Sequence, residues 1–205
     1  MLADKSVRDL LAAFSSSYPT PGGGSASALA SATGASLLLM VAGLQKTRSG
    51  SDDDRAALGA AAAALDGVRR QLTGAIDADT AAYNEVVAAY KLPKATPEEQ
   101  AARKAAIQRA LQTATDVPLG VMKQSLRTLE EATVVAAHGY KSAASDVGVA
   151  IALLTAGATG AKLNVDANLE AITDAAYRTE VGADSRDLLE TVGTIAERAE
   201  ALLRD

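Results

Sequence analysis

The chain has 205 residues, 47 of them alanine, with no cysteine, one histidine (His138) and a net charge of −5. The missing cysteines exclude a disulfide framework, a thiolate metal site and a thiol nucleophile, and a single histidine argues against a multi-histidine metal centre. Acidic balance and only 3% aromatic residues leave neither a basic footprint nor stacking platforms for nucleic acid.

The first fourteen residues are charged and do not read as a signal peptide. A short helix is expected over 6–17. Pro19, Thr20 and Pro21 then lead into Gly22, Gly23, Gly24 and Ser25, a rigid and then flexible loop. Gly24 or Ser25 would cap an apolar helix ending near Lys46. Its stretch 26–44 is uncharged and about as long as the ~20-residue membrane span. Small residues dominate it, however, so we read it as a buried helix of a soluble, cytoplasmic bundle.

Asp52, Asp53 and Asp54 mark a helix start. No proline follows until Pro93, which predicts a helix of about forty residues, ~55–60 Å long. Leu58, Leu65, Leu72, Asp79 and Val86 recur every seven residues along it, the spacing of a packed seam. Gly59, Gly67 and Gly74 would weaken an isolated helix by ~1 kcal/mol each, and so predict a neighbouring helix packed closely against them. Thr96, Pro97 and Glu99 form a capping pattern. The helix they open reaches Pro118, a kink or a restart. Further helices are expected over 117–138, 142–163, 167–176 and 184–203. The fold class is all-α: a multi-helix bundle with a long central helix. Alanine side chains bury little area, so the helices must approach closely.

Several polar positions break this pattern. Asp79 occupies the seam, where a carboxylate requires either a buried cation or a chemical task. Asp146 follows Ser145 near a helix start, which suits a dipole-stabilised acid or a carboxylate at a pocket mouth. Asn164 and Asn168 share a helix face. An unbroken helix from Asp146 to Asn164 would hold the two ~27 Å apart, so that they meet one compact ligand only through a helix break or across a subunit interface. Gly22, Gly23 and Gly24 before a helix N-terminus let backbone approach a ligand. His138 beside Gly139 reads as a helix-end cap. Lys46, Arg48, Lys91 and Lys94 lie at helix ends, where together they would hold a polyanionic tail.

The segment 19–28 with Met40-Val41-Ala42 resembles the opening of the cyclodeaminase/cyclohydrolase family of folate enzymes. The resemblance continues through Asp77-Ala78-Asp79, Leu92-Pro93-Lys94, Thr96-Pro97-Glu98-Glu99 and Arg103. It then takes in Val117-Pro118-Leu119, Ser145-Asp146, Gly160-Ala161, Asn164-Val165, Asn168-Leu169 and Ile172-Thr173-Asp174. The motifs keep family order over about residues 7–180. Two places depart from it: Gly139-Tyr140 stands where Gly-Asn is usual, and Gln45-Lys46-Thr47-Arg48 where the family carries Gly-Lys-Lys.

The resemblance implies a homodimeric helical bundle acting on a tetrahydrofolate derivative, with no further cofactor, no metal, no nucleic acid and no membrane. It implies a methenyltetrahydrofolate cyclohydrolase, or else a formiminotetrahydrofolate cyclodeaminase that releases ammonia. The departures at Gln45 and Tyr140 keep a non-catalytic folate-binding or protein-interaction dimer as a reading of another class. Both reactions pass through a tetrahedral carbon and need proton transfer. Asp146 is then the expected catalytic carboxylate, and Asp79 a second acid/base or a pterin anchor. Gly22, Gly23, Gly24, Ser25, Ser145, Asn164 and Asn168 would line the site. Lys46, Arg48 or Lys94 would meet the glutamate tail.

Overall fold

The computed structural model describes residues 1–204. Six α-helices make up the bundle: α1 (Val7–Phe14), α2 (Gly23–Ala42), α3 (Asp52–Tyr90), α4 (Pro97–His138), α5 (Ala144–Ala171) and α6 (Ala175–Arg204). Short 3-10 turns cover Leu2–Asp4 and Lys141–Ala143. Strands are absent from the described residues, where one isolated bridge joins Thr47 to Gly139.

The helix starts follow local chemistry. Ser6, Ser51 and Thr96 each accept the N–H three residues on, and Glu99 bonds back to the Thr96 backbone. The long α3 has 39 residues, and Leu58, Leu65 and Leu72 of its heptad seam are buried. Asp77, on another face, accepts from the backbone N–H groups of Leu2 and Ala3 and so holds down the N-terminal turn.

Four expectations need correction. First, α2 begins at Gly23 and ends at Ala42, so Ser25 lies within the first turn and does not cap it. Second, Pro118 neither ends nor restarts α4, which runs unbroken for 42 residues. Its missing N–H orphans the carbonyl of Ala114 four residues earlier. The side-chain amide Nδ2 of Asn168 donates to that carbonyl at 2.8 Å. Third, the segments expected over 142–163 and 167–176 are mostly one helix, α5, and α6 starts at Ala175. Fourth, added Cβ atoms at Gly59, Gly67 and Gly74 would point into open space, so no helix of this chain packs there.

The close approach foreseen from alanine content occurs between α2 and α5. These helices run antiparallel: Gly34 meets Ala150 and Leu154, Gly157 meets Ser31, and Gly160 meets Ser27. A Cβ on Gly157 would stand 2.0 Å from Ser31 Oγ and 2.8 Å from the Ser27 carbonyl oxygen. Glycine is therefore required for contact at this distance. Ser31 Oγ also lies 2.8 Å from Ser125 Oγ, tying α2 to α4. By length and composition α2 and the stretch 141–171 are apolar enough to cross a membrane. In the bundle, Ala28, Ala35 and Leu38 of α2 are fully enclosed.

This antiparallel pairing gives the bundle two distinct ends. One carries the glycine loop, the middle of α3 and the last third of α5. The other carries the loop after α2, the end of α4 and the start of α5.

Candidate active site

At the first end a cleft of about 310 Å³ opens between the loop 19–24, α3, α4 and α5. That volume is at the lower limit of small-molecule sites, enough for a fused heterocycle. Gly22, Gly23 and Gly24 form one wall, Asp79 the floor, and Asn164 and Asn168 the side from α5. These positions, far apart in sequence, therefore meet in one place.

Asp79 resolves the anomaly of a carboxylate on an apolar seam. Its Oδ2 accepts from Ser25 N at 2.8 Å and Ser25 Oγ at 2.9 Å. Ser25 Oγ, itself buried, also lies 2.8 Å from the Ile76 carbonyl oxygen, so its single proton is shared between that oxygen and Asp79. The N-terminus of α2 thus holds the carboxylate, where the helix dipole favours negative charge. No lysine or arginine pairs with Asp79 among the described residues. The other oxygen, Oδ1, lies against Gly24, where a Cβ would come within 2.0 Å of it. Gly24 is required by this close approach. A Cβ on Gly23 would reach 3.4 Å from Asn164 Nδ2, so this glycine loop fits tightly against α5 as well.

The two asparagines already have partial partners. Asn164 donates to the Gly160 carbonyl at 2.8 Å, and Asn168 to that of Ala114. Each keeps a carbonyl oxygen as acceptor for a ligand. Tyr83, Val86 and Leu111 complete the wall. Sequence reasoning passed over Tyr83, although its position four residues after Asp79 on one helix was the available signal.

The remaining candidates stand elsewhere. Ser145 and Asp146 lie on the first turn of α5, with Ser145 exposed and Asp146 half-buried. Because α5 is unbroken, Asp146 is ~27 Å from Asn164 along its axis. Lys46 and Arg48 occupy the loop after α2, at the Asp146 end. Lys94 is exposed on the turn between α3 and α4 and does not line the cleft. The four basic residues therefore do not form one cluster.

That second end is well ordered by its own chemistry. The Thr47–Gly139 bridge and the bond from Arg48 N–H to the His138 carbonyl, 2.8 Å, zip two loops together. Lys46 Nζ sits 5.3 Å from the centre of the Tyr140 ring. A hydrogen bond from Ser142 and the Lys46 charge lower the Tyr140 phenol pKa. His138 does not cap its helix: its Nδ1 lies 2.8 Å from Asp54 Oδ1. Asp54 also accepts from Ser49 N–H, Ser49 Oγ and Thr47 Oγ1. The Ser49 hydroxyl, His138 and the Ser49 amide, in that order, hold its carboxyl far below the usual range.

Fold and cleft together define a helical-bundle protein with an anchored carboxylate beside a glycine loop, and the chain belongs to the formiminotransferase-cyclodeaminase family. That family's sequence profile matches residues 6–187. A methenyltetrahydrofolate cyclohydrolase of Methylorubrum extorquens is 39% identical over 198 residues, covering 97% of this chain and 95% of that one. The mouse formimidoyltransferase-cyclodeaminase is 34% identical over 95% of this chain, which spans only 36% of it. The solved formiminotetrahydrofolate cyclodeaminase of Thermotoga maritima superposes with a TM-score of 0.88 at 25% identity, covering 100% of this chain and 98% of that one.

Proposed function

We propose that the chain hydrolyses 5,10-methenyltetrahydrofolate to 10-formyltetrahydrofolate. The observation that carries this reading is end-to-end similarity to the Methylorubrum cyclohydrolase. The long mammalian relatives and the Thermotoga structure carry the cyclodeaminase name, which supports ammonia release from a formimino substrate as the second reading. The reading includes a cytoplasmic enzyme of one-carbon metabolism with no cofactor beyond the folate.

In the cleft, the pterin lies between the glycine loop and the two asparagine carbonyls. Asp79 accepts from the pterin amino group and adjacent ring N–H, or faces the amidinium cation. Water adds to the carbon between N5 and N10 and gives a proton to a carboxylate. The carbon–N5 bond then breaks as the proton of the added hydroxyl passes to N5 and its oxygen becomes the formyl carbonyl on N10. The net products are 10-formyltetrahydrofolate and one proton. Asp146 is the carboxylate proposed to take the proton from water; standing ~27 Å from Asn164 along α5, it would reach the cleft only from the second copy of the homodimer that the family resemblance implies. Ser145 would bind substrate beside it, and Lys46, Arg48 or Lys94 would hold the glutamate tail.

The direct test follows loss of the methenyl absorbance on adding protein. Acceleration over the spontaneous rate is expected, and its absence refutes the cyclohydrolase reading. Ammonia release from the formimino substrate decides the second reading independently.

A further inference from the structure

The cleft of about 310 Å³ takes a fused heterocycle but not the aminobenzoyl-glutamate arm that a folate carries on it. Toward the N-terminus of α3 the seam below Asp79 is closed by buried Ile76 and Leu72. The arm must therefore leave toward the C-terminal end of α3. In that direction Asp79, Tyr83, Val86 and Tyr90 follow at spacings of four, three and four, which makes one stripe on the helix surface. The first three line the cleft, and Tyr90 stands one turn beyond, ~16 Å from Asp79 along the axis. The Tyr83 and Tyr90 side chains are 40% and 49% exposed.

On the facing wall, α4 runs back antiparallel to α3 and carries Arg103 about two turns before its cleft-lining Leu111. Arg103 is fixed where the stripe ends. Its Nε and Nη2 donate to the Tyr90 carbonyl at 3.2 and 2.9 Å, and its guanidinium carbon lies 5.5 Å from the centre of the Tyr90 ring. No acidic side chain pairs with it among the described residues. A guanidinium has five N–H donors, and these bonds use only the Nε side of the group. The second fork, Nη1 with Nη2, is left for a carboxylate.

We propose that Arg103 is the receptor for a carboxylate of the substrate's glutamate, and that Tyr83 is the wall against which the aminobenzoyl ring lies. This rests on the folate reading above. The order along α3 is a carboxylate acceptor, an aromatic wall and a guanidinium fork, which is the order of pterin, aryl ring and glutamate in the substrate. Arg103 is pre-organised: two bonds and the Tyr90 ring already hold its planar group, so little rotamer freedom is lost on binding. The fork takes one glutamate carboxylate and leaves the other to the basic side chains named above.

Steady-state kinetics with two substrates tests the receptor. One is 5,10-methenyltetrahydrofolate. The other is the N-methylamide of 5,10-methenyltetrahydropteroate, which keeps the pterin and the ring but lacks the glutamate. Arg103→Gln should raise KM for the folate ~30-fold with kcat nearly unchanged, and leave KM for the amide at its wild-type value. Equal rises for both substrates are the mark of a guanidinium that only braces the end of α3, and they overturn the receptor. An unchanged KM for the folate does the same. Arg103→Lys keeps the charge without the fork and should show the same substrate dependence at reduced size; it replaces the glutamine variant should that chain not fold. Tyr83→Ala should raise KM for both substrates alike, by ~10-fold, and Tyr83→Phe should restore it. An unchanged KM in Tyr83→Ala overturns the ring wall. Calorimetry with tetrahydrofolate separates this inference from the reaction. A chain that binds tetrahydrofolate, loses affinity ~30-fold in Arg103→Gln and turns over no methenyl substrate refutes the hydrolysis while the receptor stands. Turnover of the folate that Arg103→Gln leaves intact at low substrate refutes the receptor while the hydrolysis stands.

Discussion

The side chain of Asn168 repairs the helix that Pro118 interrupts, donating its amide to the carbonyl of Ala114. Asn168→Ala removes the one donor that, among the described residues, replaces the missing proline N–H. An unpaired acceptor costs ~1–3 kcal/mol when fully buried, and the half-buried Ala114 carbonyl falls toward the lower end of that range. Asn168→Ala should therefore lower the thermal midpoint by several degrees. The same substitution in a Pro118→Ala background should cost less, because the backbone N–H at 118 then serves Ala114. A double-mutant cycle by thermal melting checks this, and equal costs in both backgrounds would refute it.

The Gly24–Asp79 contact predicts intolerance in the glycine loop. A Cβ at Gly24 would come within 2.0 Å of Asp79 Oδ1. Gly24→Ala must therefore move the carboxylate or the loop. Turnover is expected to fall by ~10²-fold, as for other displaced charge-stabilising groups. Ala at Gly59, which faces open space, should keep wild-type turnover. Steady-state kinetics on the two variants makes the comparison.

Asp54 sets the acid limit of the second end. Its folded pKa is depressed, so its contribution to stability is complete above the unfolded value near 3.8 and is lost as pH falls below it. The urea midpoint of the wild type should drop as the solution is acidified below about pH 4. Asp54→Asn should have a lower midpoint at neutral pH and a flatter acid limb. A variant that follows the wild-type curve throughout would show that the Ser49 and His138 bonds contribute nothing.

Lys46 tests tail recognition apart from chemistry. Lys46→Ala should raise KM for the methenyl substrate by ~10-fold, equivalent to about 1.4 kcal/mol, with kcat nearly unchanged. Tyr140→Phe keeps the ring under Lys46 and removes the phenol bonded to Ser142. A loss of kcat in Tyr140→Phe would place the hydroxyl at the reacting centre. Unchanged kcat would assign the ring to holding Lys46.

Much of the molecule was legible in sequence because its signals are local. Ser51, Thr96 and Glu99 act on N–H groups within three residues, and the Leu58–Leu65–Leu72 seam needs only a repeat of seven. Asp79 stood out as the one charge on that seam, and it is the floor of the cleft. The failures depend on distant partners. Pro118 looked like a break because its remedy is fifty residues away on another helix. His138 looked like a cap, yet its partner Asp54 is 84 residues earlier in the chain. Asn164 and Asp146 looked like neighbours in function. An unbroken α5, which the sequence offered only as a condition, places them at opposite ends.

The α2–α5 pair behaves as a rigid strut. Gly34, Gly157 and Gly160 lock each helix into the surface of the other, so neither can slide without a steric clash. Because this strut fixes its span, a change at Gln45 or Tyr140 alters the loops at one end without disturbing Gly24 and Asp79 at the other. One end can thus diverge in sequence while the Asp79 cleft at the other keeps its shape.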